Sequence, residues 1–207
     1  MVNIAVMASG ESIRFLPDII DKFDEAYFVN GNLVPILLQN SEKLRTKKLY
    51  QIANRMLPSI LKPEAYQALG VDDVFFTVPK SRASEIMPSI RLVESYGLCW
   101  YGSPDNLAWV FENYNNISFY GIVRACEYHI SENIYIIGLD FWQGNYTFKK
   151  STEKQKVMPK NRNLYEKFYT VIGKYPDVNF KMYTVASIEP RKNLEVFCVP
   201  KIQDVMV

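Results

Sequence analysis

The first 29 residues constrain the fold most, because their hydrophobic period changes twice within a short stretch. Asn3 to Ala8 is an apolar run that predicts a strand. Ser9-Gly10-Glu11-Ser12 follows as a turn, and apolar residues then recur at helical spacing from Ile13 to Phe23. Glu25 to Val29 predicts a second strand, which ends at Asn30. A strand, a helix and a second strand in this order favour a parallel sheet and the α/β class.

The rest of the chain continues this alternation. We predict one α/β domain over residues 1–207, a single Rossmann-like domain with a mostly parallel sheet flanked by helices and with a small lid segment. Further strands are predicted at 73–78, 98–101, 134–139 and 180–185, with an edge strand or tail at 193–199. Helices are predicted at 39–70 with breaks at Pro58 and Pro63, at 81–96 with an interruption at Pro88, and at 104–114, 118–130 and 163–174.

Composition narrows the class of protein. The apolar content of 48% and the charged content of 22% are ordinary for a soluble globular protein, and a net charge of +2 is too small to indicate nucleic-acid binding. Cys99, Cys126 and Cys198 are widely spaced and form no CxxC pair, so neither a disulfide framework nor a zinc site is indicated. No signal peptide is recognisable, and no apolar stretch approaches the roughly 20 residues that span a bilayer. We therefore predict a cytoplasmic protein.

Residues 142–162 differ from the rest of the chain in being basic and poor in apolar residues. Glu153 is the acidic residue of this segment, against the cations Lys149, Lys150, Lys154, Lys156, Lys160 and Arg162. One interpretation is a solvated surface loop. The other is a mobile lid whose positive charge meets a phosphate-bearing ligand or an anionic membrane surface.

The predicted strand at 134–139 ends in a group of residues suited to ligand binding. Gly138-Leu139-Asp140 closes the run, and the aromatic residues Phe141, Trp142 and Tyr146 follow. In α/β sheets, ligands bind outside the carboxyl ends of the strands. A carboxylate and aromatic rings at this place suggest a site for a polar ligand with a flat ring, although an Asp at a strand end also commonly orders the next turn.

Polar residues also close three other predicted strands. Ser9, Asn30 and Thr77 would together make a polar rim along one edge of the sheet. Ser12 stands at a predicted helix start, where it could cap the helix or help to bind a phosphate or a sugar hydroxyl. Asn30 could likewise bind a ligand or serve only the Asn-Gly turn.

Several other chemistries are not indicated. The first turn carries one glycine where a dinucleotide-binding G-x-G-x-x-G needs three, so NAD binding is not predicted. His129 is the single histidine, and its place in a predicted helix favours a structural role. We recognise no Ser-His-Asp or Cys-His arrangement and no cluster of metal ligands.

Three blocks of this sequence resemble the bacterial sialyltransferases of glycosyltransferase family 42. Ile4–Ile13 resembles their N-terminal nucleotide-binding turn, and Tyr27–Asn30 resembles their second strand, which ends in an Asn. The stretch from Gly121 through a helix to Phe141 resembles their Gly-helix-strand-G-[IL]-D-F block. Tyr146 falls near a family tyrosine that contacts the donor phosphate. The similarity covers about two-thirds of the chain in order.

The resemblance implies a modified Rossmann fold that transfers sialic acid from CMP-sialic acid to a glycan hydroxyl without a metal or other cofactor. By position, Gly10, Ser12 and Asn30 would line the CMP site. Gly138, Asp140 and Phe141 would flank the cytidine and ribose, and Trp142 would stand where the family has a tyrosine that hydrogen-bonds the phosphate. The expected substrate-binding set is Ser9, Gly10, Ser12, Asn30, Thr77, Ser118, Gly138, Asp140, Phe141, Trp142 and Tyr146.

One departure from the family concerns catalysis. The family's catalytic histidine precedes the last long helix, whereas the matching stretch here, Val157–Arg162, contains no histidine. Acid–base assistance contributes roughly 10²–10⁴ in rate, so the catalytic residues are left unassigned. The sequence also lacks the family's basic C-terminal membrane-associating tail. The expected partners are a CMP-sugar donor and a glycan acceptor, without nucleic acid or membrane, and a homo-oligomer is left open.

Three functions therefore remain open at the level of sequence. The first is a sialyltransferase-like enzyme that binds CMP or CMP-sialic acid. The second is a non-catalytic nucleotide-sugar or glycan-binding protein on the same scaffold, which the missing histidine favours. The third is a magnesium-dependent diphosphokinase-like enzyme, in which Asp140 with Asp105 or Asp72 would bind the metal.

Overall fold

The computed structural model describes residues 2–29, 33–54, 60–104, 107, 110, 116–128, 131–141 and 164–201. Within these ranges the chain forms one sheet of eight strands, and every neighbouring pair of strands is parallel. The strands are β1 (Val2–Met7), β2 (Glu25–Val29), β3 (Lys48–Ala53), β4 (Val71–Pro79), β5 (Cys99–Ser103), β6 (Ser131–Ile137), β7 (Asn179–Thr184) and β8 (Leu194–Cys198).

Helices connect these strands, and proline begins several of them. The α-helices of the described ranges are α1 (Leu16–Ile19), α2 (Val34–Gln39), α3 (Ser41–Leu44), α4 (Pro63–Leu69), α5 (Met87–Ser95), α6 (Ile117–Tyr128) and α7 (Leu164–Gly173). Short 3₁₀ helices span Glu11–Phe15, Ile20–Lys22 and Lys80–Ile86. Pro63 and Pro88, predicted to interrupt helices, instead stand in the first turns of α4 and α5, where a missing N–H costs nothing.

The sheet is buried on both faces, as parallel sheets require. Ala5 and Phe28 point to a first face, which α1 to α5 cover. Val6 and Tyr27 point to the second face, which α6 and α7 cover. Side chains alternate between the faces, so each strand contributes to both cores. No helix in the described part of the chain is both long and apolar enough to cross a membrane.

The direction in which successive strands are added to the sheet reverses at its middle. Across the sheet the strands lie in the order β5-β4-β3-β2-β1-β6-β7-β8. The chain therefore builds outward from β1 to β5, then returns to place β6 on the other side of β1 and builds outward again. Ligands of doubly wound folds bind at such a switch point, outside the carboxyl ends of the two strands. Here those ends belong to β1 and β6.

The predicted α/β class with a mostly parallel, helix-flanked sheet is confirmed, but the prediction of helix over 39–70 is wrong in its centre. β3 occupies Lys48–Ala53 and lies between β2 and β4. Because Gln51 interrupts the apolar residues of this strand, the sequence pattern did not indicate a strand here. Gln51 is fully buried on the first face, where the Tyr66 hydroxyl donates to its side-chain oxygen. A buried amide that has a partner is tolerated in a central strand.

The buried tyrosines should make the fold sensitive to alkaline pH. Burial raises the pKa of the Tyr27 phenol to about 12, and the nearby Arg124 guanidinium opposes that shift. Burial also raises the pKa of Tyr66 and Tyr120. An unfolded tyrosine has a pKa of about 10. The buried neutral phenols therefore contribute fully to the free energy of unfolding below that pH, and this contribution is lost as the pH rises through the pKa values of the folded state.

For Tyr27 alone this loss amounts to about 3 kcal/mol. We expect the free energy of unfolding, measured with urea at several pH values, to fall between about pH 10 and 12. The fall should be less steep in Tyr27→Phe, because that variant lacks the titrating phenol. Equal stability at both ends of this pH range would contradict the expectation.

Candidate ligand-binding site

The loops that follow β1 and β6 are joined directly at the switch point. The Ala8 amide donates to the Ile137 carbonyl at 2.8 Å, and the Gly10 amide donates to the Gly138 carbonyl at 2.7 Å. These bonds extend the ladder between the two strands past their ends. The backbone at the switch point is therefore paired, and the Ala8 and Gly10 amides are already hydrogen-bonded within the protein.

The Asp140 side chain links the segments after three strands at the switch point. The side chain is 4% exposed. One oxygen, Oδ2, accepts from the Ser12 amide at 2.7 Å, whereas Oδ1 accepts from Ser12 Oγ at 2.6 Å, Thr184 Oγ1 at 3.0 Å and the Val185 amide at 3.2 Å. An ionised carboxylate only accepts hydrogen bonds, and these four donors satisfy it. Asp140 thus links the segments that follow β1, β6 and β7.

Ser12 completes this network instead of capping the 3₁₀ helix at Glu11–Phe15. Its hydroxyl donates to Asp140 and accepts from the Gly138 amide at 2.9 Å, and the residue is fully buried. The helix has no side-chain cap, and Gly10 stands at its N-cap position. The predicted capping role of Ser12 is therefore wrong. For Ser12 to bind a ligand as predicted, its hydroxyl would have to break its hydrogen bonds to Asp140 and to the Gly138 amide.

Two glycines allow the loops to approach this closely. A Cβ on Gly10 would lie 2.5 Å from both Asp140 Oδ2 and the Gly138 carbonyl oxygen. Gly138 has φ of +78°, and a Cβ there would lie 1.9 Å from the Ala8 carbonyl oxygen. Both contacts are shorter than any van der Waals contact. These glycines are thus required by the junction of β1 with β6.

Phe141 follows Asp140 with an unusual backbone. Its φ is +48°, the one positive φ at a non-glycine residue in the described chain. Such strained conformations cost energy and cluster at functional sites. The ring is buried in the second-face core, stacked on Tyr165 with centroids 4.5 Å apart and edge-on to Phe168. The ring therefore packs against α7 instead of offering its face to a cytidine.

The other predicted site residues that the structure describes do not all lie at the switch point between β1 and β6. Thr77 is buried on β4, which is three strands from β1 and so about 14 Å away across the sheet. Ser118 is buried in the first turn of α6, and Ser9 is half-buried in the loop after β1. Thr77 thus lies apart from the β1–β6 switch point, and the predicted rim is not continuous at that strand. Asn30, Trp142, Tyr146, His129 and the lid at 142–162 lie outside the described residues.

Thr77 and Thr184 allow a matched test of these assignments. Thr77 Oγ1 is buried and has no hydrogen-bond partner in the described structure. Thr184 Oγ1 donates to Asp140 and accepts from the Ala186 amide at 3.0 Å. Replacing a threonine by valine removes the hydroxyl with little change of shape, and its effect depends on whether the hydroxyl has partners.

We expect Thr77→Val to raise the free energy of unfolding by about 1 kcal/mol and Thr184→Val to lower it by about 2 kcal/mol. Urea unfolding of both variants checks this pair. A larger loss of stability in Thr77→Val than in Thr184→Val would show that the two hydroxyls have been assigned the wrong roles.

The residues do not suit the magnesium-dependent alternative. Asp72 lies near the start of β4, where its carboxylate accepts from the Leu49 amide at 2.8 Å. Asp140 lies beyond the opposite end of β6, four strands away. One metal ion cannot bind both carboxylates. Asp105 is outside the described residues, and the described ones contain no group of three side chains placed to hold a metal ion.

Asp140 was predicted from the sequence, but its partners at the end of β7 were not. Thr184 and Val185 end a strand that was predicted at 180–185, yet the prediction gave no reason to place that strand beside β6. The Gly-x-Asp motif indicated Asp140 as a candidate residue, whereas the partners of Asp140 can be identified only from the strand order.

Comparisons with known proteins do not assign a family. No protein-family model matches this sequence, and no curated protein matches it significantly. The described residues define a doubly wound α/β protein with a single parallel sheet, whose switch point lies between β1 and β6.

Proposed function

We propose that CMP or a CMP-sugar binds in a crevice outside the carboxyl ends of β1 and β6, and that the protein is a sialyltransferase-like glycosyltransferase that acts on a glycan hydroxyl. The observation that supports this proposal most is the meeting of the two motifs on which the resemblance rests. Ser12 and Asp140 are 128 positions apart in the sequence, yet they form two direct hydrogen bonds at the switch point. This is the place in a doubly wound sheet where a nucleotide binds.

In this proposal the described residues and the rest of the motif have different tasks. Gly10, Ser12, Gly138 and Asp140 form the rigid base, because their polar groups bind one another. Contacts to the nucleotide would come from residues above that base. The resemblance assigns such contacts to Asn30, Trp142 and Tyr146. The charge of the cationic segment at 142–162 would compensate that of the phosphate.

A non-catalytic nucleotide-sugar-binding protein is the second candidate. The observation in its favour is the absence of a histidine from Val157–Arg162, since His129 is the single histidine of the chain. Without a general base, glycosyl transfer would lose roughly 10²–10⁴ in rate. Release of CMP from CMP-sialic acid in the presence of glycan acceptors separates the two candidates. Sustained turnover supports the enzyme, and saturable binding without turnover supports the binding protein.

Calorimetric titration with CMP tests the shared part of the proposal. We expect saturable CMP binding, weaker binding of CDP, and no binding of ATP with magnesium. Asn30→Ala should weaken CMP binding at least about tenfold, as the loss of a ligand hydrogen bond of about 1.4 kcal/mol would do. Gln67→Ala is a matched control, because it removes an exposed amide from α4. A preference for ATP with magnesium, or equal CMP affinity in Asn30→Ala, would overturn the proposal.

A further inference from the structure

A cavity of about 500 Å³ lies at the amino ends of β6, β7 and β8, opposite the carboxyl ends where the switch point lies. This volume is within the usual range for small-molecule sites. Its polar lining includes Asn133, Asn179, Lys181, Arg191, Lys192 and Glu195. All of them lie in described parts of the chain, and the cavity is separated from the β1–β6 crevice by the length of the strands.

The polar residues that line the cavity form two rows across neighbouring strands. Asn133 on β6 is paired with Asn179 on β7, so two amides stand side by side, and the Asn133 amide also donates to Asn3 Oδ1 at 3.0 Å. Two residues further along, Lys181 is paired with Tyr135 on one side and with Glu195 on the other. Because side chains alternate, both rows lie on the first face of the sheet. An amide row is therefore followed by a charged row.

The wall of the cavity around the start of β8 is held rigidly. Arg191 and Leu194 exchange two backbone hydrogen bonds, at 3.1 and 2.9 Å, which close the turn between them. The Asn193 amide group donates to the carbonyls of Ile172 and Tyr175, at 3.1 and 3.0 Å, and so ties this turn to the end of α7. Binding groups held in place by the fold lose less entropy when a ligand binds.

The lining carries more positive than negative charge. The cations Lys181, Arg191 and Lys192 line the cavity together with one carboxylate, Glu195. Arg191 is partly used, since its guanidinium lies 3.8 Å from Glu189 and 4.4 Å from the centre of the Tyr169 ring. Within the described chain no carboxylate lies within 4.0 Å of the ammonium group of Lys181 or Lys192. An anionic group on a ligand would complement these two lysines.

We propose that this cavity binds a small anionic saccharide, a sugar that carries one carboxylate or phosphate group. Amide side chains both donate and accept hydrogen bonds, which suits sugar hydroxyls, and Glu195 adds a further acceptor. Lys181 and Lys192 bind the acidic group. The site is independent of the nucleotide crevice and does not rest on the function proposed for it.

Titration followed by amide chemical shifts tests this proposal, with glucuronate, glucose 6-phosphate, glucose and inorganic phosphate as separate probes. We expect at least one of the two anionic sugars to bind at least about tenfold more tightly than either glucose or phosphate. The shifts should centre on Asn179 and Lys181 and should persist when CMP is present at saturation.

Asn179→Ala and Lys181→Met should each weaken binding of that sugar about tenfold. Neither side chain is in a core, so thermal unfolding should confirm that both variants fold. Lys62→Met, which removes an exposed lysine before α4, is the control and should bind as the parent does. The proposal is overturned by the absence of saturable binding of both anionic sugars at about 10 mM, by phosphate binding as tightly as glucose 6-phosphate, or by unchanged affinity in Asn179→Ala.

Discussion

Gly138→Ala is expected to destabilise the protein by at least about 4 kcal/mol, which would leave little or no folded protein. The new Cβ would lie 1.9 Å from the Ala8 carbonyl oxygen and 2.6 Å from its carbon, so it would collide with backbone that no side-chain rotation can move. Relief would require β1 and β6 to separate at the switch point. The backbone φ of +78° adds a further penalty of about 1–2 kcal/mol for any residue with a Cβ.

Gly97→Ala separates these two causes. Gly97 has nearly the same φ, +75°, but a Cβ there would meet no atom within 4 Å. In this control the free energy of unfolding should fall only by the conformational penalty of about 1–2 kcal/mol. Urea unfolding of the two variants gives the comparison. Similar losses in both would mean that the close approach of the loops after β1 and β6 does not exist in solution.

Asp140→Ala is expected to lower the free energy of unfolding by about 4 kcal/mol or more. The substitution removes the acceptor for Ser12 Oγ, Thr184 Oγ1 and two backbone amides in a site closed to solvent. A buried donor left without an acceptor costs about 1–3 kcal/mol, and water cannot enter here without disturbing the packing. The four losses belong to one network and will not add fully.

Asp140→Asn tests the same network while the size of the side chain is kept. One carboxylate oxygen becomes an NH₂ group, which then faces a donor, so we expect a loss of about 2–3 kcal/mol. Asp177→Ala, at an exposed turn, is the control and should stay within about 0.5 kcal/mol of the parent. A loss below about 1 kcal/mol in Asp140→Ala would show that the carboxylate does not hold the three strand ends together.

Most of the sheet was predictable because its strands are apolar runs separated by helical segments. Glu25–Val29 was predicted with its observed bounds, and the runs that became β1, β4, β6 and β7 were placed within a few residues. These strands are buried on both faces, so their sequences are almost uninterrupted by polar residues. β3 was missed because it contains Gln51, whose acceptable burial depends on the hydroxyl of Tyr66 in α4.

The placement of Asp140 after a strand was predictable from the sequence, but the partners of its carboxylate were not. Gly138-Leu139-Asp140 after an apolar run correctly marked the end of a strand. Whether Asp140 would bind a ligand or order a turn depended on Ser12 and Thr184, which are distant in sequence. Local sequence does not encode which strands become neighbours, so the bonds that occupy this carboxylate could not be predicted from it.

Phe141 gives a second example of this limit. An aromatic residue after Asp140 suggested a ring for stacking on a flat ligand. In the fold its ring packs on Tyr165 of α7, and its backbone takes a positive φ. An aromatic side chain beside a site and one within the core have the same sequence signature, because both are hydrophobic residues at a strand end.

The most direct test of the nucleotide crevice is to locate CMP on the protein by its effect on assigned backbone amide resonances. If CMP binds at the switch point, saturable shifts should appear at Ser9, Gly10 and Phe141, at the carboxyl ends of β1 and β6. The amides of Asn133 and Asn179, at the opposite edge of the sheet, should remain unchanged. Shifts confined to that opposite edge, or no shifts at saturating CMP, would contradict the account.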